Sequence, residues 1–160
     1  MIEERKFYLT ADGLKRLKKE YESLKKLKLA KTKGEEAPRI LHSEDLDPEY
    51  LAFEEDMGFL EARLMDLEAI LKNAELIKLP PKDQRNKVVT LGATVVVEVA
   101  GQKDEFTIVG TLEANPETGR ISNESPLGQA LLGRRVGDEV VVSSPVKTIY
   151  KIKKVKHQLS

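Results

Sequence analysis

Phe53, Met57, Leu60, Leu64, Leu67, Leu71 and Ala74 recur at alternating spacings of 4 and 3 over three heptads, and no other pattern restricts the fold of this chain as strongly. Such a seam predicts a helix with one apolar stripe that a second helix must cover. At 1.5 Å per residue it would run about 36 Å. The covering helix is close in sequence: Thr10 is an N-cap candidate with Ala11 and Asp12 in the first turn, and Leu14, Leu17, Tyr21 and Leu24 follow at spacings of 3, 4 and 3. Two such helices joined by a short connection pair antiparallel, which makes the hairpin a rod suited to reaching into something. After Leu24 the seam continues only by a shift of three, through Leu27, Ala30, Gly34, Ala37 and Leu41, a stammer that overwinds the supercoil. Gly34 and Pro38 then sit inside it, so the helix either bends there or ends near Lys33 with a loop to Pro48. The bend is favoured, because the second seam otherwise lacks a partner.

Leu79-Pro80-Pro81-Lys82-Asp83 stops any helix, and beyond it the pattern changes to period two with β-branched residues. Thr94 to Val99 reads as a strand, Ala100 to Asp104 as a turn, Glu105 to Val109 as the hairpin partner, and Glu139 to Val142 and Thr148 to Val155 as two more strands. Ser125 followed by Pro126 opens a short helix that Gly133 terminates. The expected fold class is α+β: an N-terminal antiparallel coiled-coil hairpin over 1–79 with an acidic tip near 44–49, a linker over 80–87, and a small antiparallel sheet with one short helix over 88–160.

The 160 residues carry 27 basic and 27 acidic side chains, so net charge selects no partner, yet the charges are segregated. From Lys15 to Lys33 nine basic residues face only Glu20 and Glu22, whereas from Glu35 to Glu68 twelve acidic residues face Arg39 and Arg63. There is no cysteine, which removes disulfides, thiolate metal sites and cysteine nucleophiles, and His42 and His157 are too few for a histidine cage. No apolar run approaches the roughly 18 residues that span a bilayer, and the charged segment Met1 to Lys6 lacks a signal peptide's apolar centre. A cytoplasmic protein without a membrane partner is expected.

Glu44, Asp45, Asp47, Glu49, Glu54, Glu55 and Asp56 form a run without a basic residue. Clustered carboxylates repel unless solvent, a cation or a partner relieves them. One reading is a solvated turn in which Asp47, Pro48 and Glu49 start the second helix; composition alone favours it. The other is part of a site for a hard cation, Mg²⁺ or Mn²⁺, whose coordination a partner completes. Lys25, Lys26, Lys28, Lys31 and Lys33 are likewise either a solvated flank, the commoner case, or a track for a phosphate backbone. His42 reads as incidental and His157 as part of a frayed terminus. No phosphate-binding loop, dinucleotide fingerprint, nucleophile elbow or metalloprotease helix is readable.

Specific strings add to this. Tyr8-Leu9-Thr10-Ala11-Asp12-Gly13 with Leu17 and Glu20, then Tyr50 to Glu55 running into Gly58 to Leu64 with Leu67-Glu68, resemble the bacterial transcript cleavage factors GreA and GreB. So do Leu91 to Val95, Ile108 to Gly110, Ile121-Ser122, Ser125 to Gly133 and Val136-Gly137-Asp138, and the resemblance spans nearly the whole chain. It implies a C-terminal domain of FKBP-like fold docking on the rim of the RNA polymerase secondary channel, and a coiled coil entering that channel. The tip carboxylates would help hold a Mg²⁺ shared with the polymerase, which itself cleaves the displaced 3′ end of backtracked nascent RNA. By that resemblance the chain is a monomeric accessory and not an enzyme. Asp45 is then the principal ligand, Asp47 or Glu49 completes the pair, Glu44 assists, and Lys25, Lys26, Lys28, Lys31, Lys33 and Arg39 face RNA or the channel. Asn115, Ser125 and Pro126 are the expected docking residues. The tip departs from the family string Gly-Asp-Leu-Ser-Glu-Asn-Ala-Glu-Tyr: Glu44 to Tyr50 is two residues shorter. Asn115 also replaces a family aspartate. The shortened tip leaves a second expectation open, a regulator that occupies the channel without promoting hydrolysis.

Overall fold

A computed structural model describes residues 6–33, 48–143 and 145–157 of the chain. In order the elements are β1 (Phe7–Leu9), α1 (Ala11–Lys33), α2 (Pro48–Lys72), β2 (Ala74–Leu76), β3 (Thr94–Val99), β4 (Gln102–Val109), β5 (Arg120–Ser122), α3 (Pro126–Leu131), β6 (Glu139–Val142) and β7 (Thr148–Lys156). They gather into two compact units, the helical residues Leu14–Asn73 and a sheet unit of the residues up to Gly13 together with those from Ala74 onward.

In the helical unit, Leu60, Leu64, Leu67 and Ile70 of α2 are buried, and Leu14, Leu17, Tyr21 and Leu24 of α1 are half-buried. Cross-helix pairs fix the direction. The Tyr21 hydroxyl donates to Glu68 at 3.0 Å, Arg63 donates to both oxygens of Glu20 at 2.8 and 3.1 Å, and Lys28 and Lys31 pair with Glu61 and Asp56 at 3.8 and 3.9 Å. From Tyr21 through Lys28 to Lys31 the partners on α2 fall from Glu68 through Glu61 to Asp56, as an antiparallel hairpin requires. Two details differ from the heptad expectation. Ala74 has left the helix for β2, and α1 makes no stammer: Leu27 is 44% exposed and Ala30 is exposed, while Lys28 and Lys31 are the half-buried positions. Leu14, Leu17, Tyr21, Leu24, Lys28 and Lys31 keep spacings of 3 and 4 without interruption. A lysine can hold such a place because its aliphatic stem lies along the apolar stripe while its ammonium reaches a flanking carboxylate.

The sheet unit holds a five-stranded sheet in the order β5-β4-β3-β7-β6. It is mixed and not antiparallel throughout, because β5 returns parallel to β4 after the 3₁₀ turns at Thr111–Glu113 and Pro116–Thr118. A second parallel ladder pairs β1 with β2. The β3–β4 turn is shorter than expected: Val99 opposes Gln102, and Ala100 and Gly101 alone turn the chain with φ of 50° and 82°, the left-handed pair that matches the twist of the flanking strands. Gln102, Lys103 and Asp104 look like loop because all three are exposed, yet their backbones belong to the ladder. On β7 the buried residues are Ile152 and Val155, three apart; a bulge opposite Val96 and Val97 absorbs Lys153 and restores the inward face. Val89, Ala93, Val95, Val97, Ile108, Ile121, Leu131, Val140, Ile152 and Val155 make the core. The segment 80–87, expected as a linker, is folded: Pro80 is buried, and Arg85 donates backward to the carbonyls of Pro81 and, through Nε, Pro80. His157 is no frayed end, since its Nδ1 accepts from Asn86 N–H at 2.8 Å and its Nε2 lies 2.9 Å from Thr90 Oγ1.

Candidate functional site

Of the tip candidates, Glu44, Asp45 and Asp47 lie outside the described residues, as do Arg39, His42 and the candidate bend at Gly34 and Pro38. Glu49 is in the first turn of α2, which opens at Pro48, and both features suit a helix N-terminus, whose exposed N–H groups favour a carboxylate and whose first residue needs no donor. Glu54, Glu55 and Asp56 are exposed on the next turn. Glu54 accepts from the Tyr50 hydroxyl, an interaction that raises the phenol above its ordinary value. Among the described residues no group of three or more His, Cys, Asp or Glu side chains could hold a metal ion. The candidate donors at the tip are all carboxylate oxygens, which fits a hard divalent cation sharing its coordination with a partner.

Helix geometry divides the lysine block. At about 100° per residue, Lys28 and Lys31 fall on the seam, whereas Lys26, two residues before Lys28, falls on another face. Lys28 and Lys31 are thereby committed to Glu61 and Asp56 of α2, and Lys25 rests over the Tyr21 ring at 5.3 Å. Lys26 is exposed. On the same hairpin the Arg63 guanidinium, hydrogen-bonded to Glu20, holds that carboxyl below its ordinary value.

The docking candidates lie between the end of β4 and the first residue of α3 in the sheet unit and differ in character. Asn115 is exposed and caps the turn Pro116–Thr118, its side-chain oxygen accepting from Glu117 N–H at 3.2 Å. Ser125 is the N-cap of α3: its hydroxyl accepts from Gly128 N–H at 3.1 Å and donates to the Ser122 carbonyl at 2.6 Å. That hydroxyl is spent inside the fold, and Pro126 is the exposed neighbour. Gly128 explains the rest of the string, since a Cβ there would strike the Ser122 carbonyl oxygen.

One arrangement escaped the sequence reading. The Glu113 carboxylate receives the Thr10 N–H at 2.8 Å and the Thr10 hydroxyl at 2.7 Å, 103 residues away, while Thr10 Oγ1 accepts from Gly13 N–H at 3.0 Å as the α1 N-cap. Only the Thr10 cap was legible. No local pattern links it to Glu113.

A helical hairpin with an acidic run leading into its second helix, joined in sequence to a small mixed-sheet unit, defines a two-unit hairpin protein. Comparison with known proteins narrows this. The profile "Transcription elongation factor, N-terminal" matches residues 7–76 and "Transcription elongation factor, GreA/GreB, C-term" matches 84–157. Transcription elongation factor GreA of Thermomicrobium roseum is 40% identical, with 88% of this chain and 90% of that protein covered. GreA of Thermoanaerobacter pseudethanolicus is 41% identical with the same 88% and 90% coverage. The solved structure of GreA factor homolog 1 of Thermus thermophilus is 30% identical, covers 94% of this chain and 99% of that one, and overlaps with a TM-score of 0.41. The chain belongs to the GreA/GreB family of transcription elongation factors.

Proposed function

We propose that this chain binds bacterial RNA polymerase, enters its secondary channel with the helical hairpin, and stimulates cleavage of backtracked nascent RNA. What supports the reading most is the coincidence of family membership over both halves of the chain, 7–76 and 84–157, with an acidic run from Glu44 to Asp56 that leads into α2. In this reading Asp45 and either Asp47 or Glu49 offer oxygen ligands to a Mg²⁺ that the polymerase also holds, and Glu44 adds negative potential beside them. Bound there, the ion supplies Lewis acidity and a water of lowered pKa. The carboxylate oxygens of Asp45 and of Asp47 or Glu49 would also accept hydrogen bonds from an attacking water and so orient it toward the RNA phosphate. Hydrolysis belongs to the polymerase, and the chain acts as a monomeric cytoplasmic accessory. Lys26, Lys33 and Arg39 steer the RNA 3′ end electrostatically, Lys25 faces the channel from its place over Tyr21 of its own helix, and Lys28 and Lys31 tie α1 to α2 as much as they face the channel. The sheet unit docks outside, through the surface around Asn115 and Pro126.

A second reading is favoured by one observation, the tip string two residues shorter than the family pattern. A carboxylate displaced by about an ångström can cost on the order of a hundredfold in rate, and a factor so altered would occupy the channel without promoting hydrolysis. RNA shortening in stalled elongation complexes separates the two, with wild type run beside Asp45→Asn and Asp47→Asn. Cleavage lost in one variant while polymerase binding survives in both identifies the ligand register. No shortening by wild type above the polymerase's own level, with slowed extension at limiting nucleotide, supports the inhibitor.

A further inference from the structure

We propose that the sheet unit carries a binding site for a small organic anion, a molecule with an apolar body and a single acidic head, in a cavity between the chain leaving β2 and the β3–β4 hairpin. The cavity has a volume of about 400 Å³, within the range of sites that enclose a drug-sized molecule. Its wall is apolar where it is most deeply set: Val109 is 2% exposed, Pro80 is buried, and Ile77, Leu79 and Leu91 are half-buried. Ile77 closes tightly on Gly92, where any Cβ would touch it at 2.7 Å.

The charged side chains that line it are both cationic, and the rest of its polar side chains are hydroxyls and one imidazole. Lys78 and Arg120 are exposed and therefore stand at the rim. Thr94 and Thr107, paired across β3 and β4, hold their hydroxyls 2.9 Å apart. Only one proton can bridge two hydroxyls, so the second is available to an acceptor in the cavity. His157, also in the wall, directs its Nε2 to Thr90. No carboxylate is among the lining residues. An apolar floor with a hydroxyl donor, two cations at the rim and no carboxylate in the lining matches an anion with a hydrocarbon body, and disfavours a cation through like-charge repulsion at the rim. The site is separate from the acidic run and stands or falls independently of the cleavage reading.

The test uses the full chain and 1-anilinonaphthalene-8-sulfonate as the probe, with binding located by amide NMR. Saturable one-to-one shifts centred on Ile77, Gly92 and Val109 are expected, with the uncharged parent N-phenyl-1-naphthylamine binding more weakly by about tenfold. Leu79→Trp, which fills the cavity, is expected to abolish the shifts. Lys78→Gln combined with Arg120→Gln, both exposed, is expected to weaken them by about tenfold while leaving the core spectrum unchanged. Shifts centred instead on Phe59 and Met65, which are 69% and 70% exposed on α2, would overturn the proposal. So would non-saturable binding, equal affinity for the uncharged probe, or full binding by the doubly neutralised variant; that variant decides the matter if Leu79→Trp does not fold.

Discussion

Glu113→Ala removes the carboxylate that receives two donors from Thr10, at 2.8 and 2.7 Å. Hydrogen bonds to a charged group are worth about 1.5–3 kcal/mol each when well buried. This site is half-buried and water can replace part of what is lost, so the pair is worth about 2 kcal/mol. With a urea slope of about 2 kcal/mol/M for a domain of this size, the midpoint of the sheet unit falls by about 1 M. The assay is urea titration followed by the Val97 amide signal, which reports the central strand β3 and is free of the helical unit's own transition. Glu113→Gln keeps one acceptor oxygen and should lose about half as much. Thr10→Ala removes the hydroxyl that links Gly13 to Glu113, and combined with Glu113→Ala it should cost less than the two single changes added, by about 1 kcal/mol. Gly13→Ala should act on the same contact, since a Cβ there would strike the Glu113 carboxylate. Strict additivity of the Thr10 and Glu113 changes, or a midpoint shift below about 0.2 M for Glu113→Ala, would refute the reasoning.

Gly128→Ala drives a methyl into the Ser122 carbonyl oxygen, a backbone atom that cannot move alone, and is expected to cost about 3 kcal/mol, read as a drop in thermal midpoint of the sheet unit. Acidification should loosen the same unit through His157. Its Nδ1 accepts the Asn86 N–H, which only a neutral ring allows, and burial followed by the charge of Arg85 lowers its pKa from the ordinary 6.5. The unfolded chain therefore binds the proton more readily. The contribution is complete above the unfolded value near 6.5 and is lost as pH falls through the lower folded value. Wild type should lose more stability than His157→Gln between pH 7.5 and 5, and equal losses would be the contrary result. Lys28→Leu and Lys31→Leu should each raise hairpin stability by about 1 kcal/mol, measured as slower amide exchange over 24–31 and 53–60; unchanged or faster exchange would remove these lysines from the seam.

What the sequence made legible was local. The alternation of Thr94–Val99 and Glu139–Val142 located β3 and β6 at their observed bounds, because each strand buries one face on the core. Thr10 and Ser125 were readable as caps because an N-cap satisfies a donor three residues away. The features that went unread depend on partners remote in sequence. β1, β2 and β5 are three residues each and have too few side chains to show a period. Ala74 continues the 4-3 seam in sequence but is drawn into β2 by pairing with Phe7. His157 looked terminal and is tied to Asn86, 71 residues earlier. Of the candidate site, the acidic run was legible as charge alone; of its carboxylates expected to serve the metal, Glu49 is the one among the described residues.

The two seam lysines change what segregated charge means in this chain. A block of basic residues on one helix opposite an acidic one invites the reading of a nucleic-acid track, and the totals alone cannot distinguish that from two helices written to recognise each other. Spacing can. Lys28 and Lys31 occupy the same stripe as Leu17, Tyr21 and Leu24, and they meet Glu61 and Asp56 in the order that antiparallel pairing demands. Exposed ion pairs of this length contribute little stability, about 0–1 kcal/mol each, and each lysine displaces an apolar residue worth more. Their effect is therefore selective: a parallel or slipped pairing would bring the ammonium groups against the wrong partners, as polar residues do in other coiled-coil seams. The fully buried apolar residues of α2 are Leu60, Leu64, Leu67 and Ile70, whereas nearer its start Phe53 and Met57 are half-buried and the ion pairs of Lys28 and Lys31 add register there. A hairpin built this way fixes which residues of α2 follow the acidic run into the helix, and it does so without spending on the seam the apolar surface that would make the helices merely sticky.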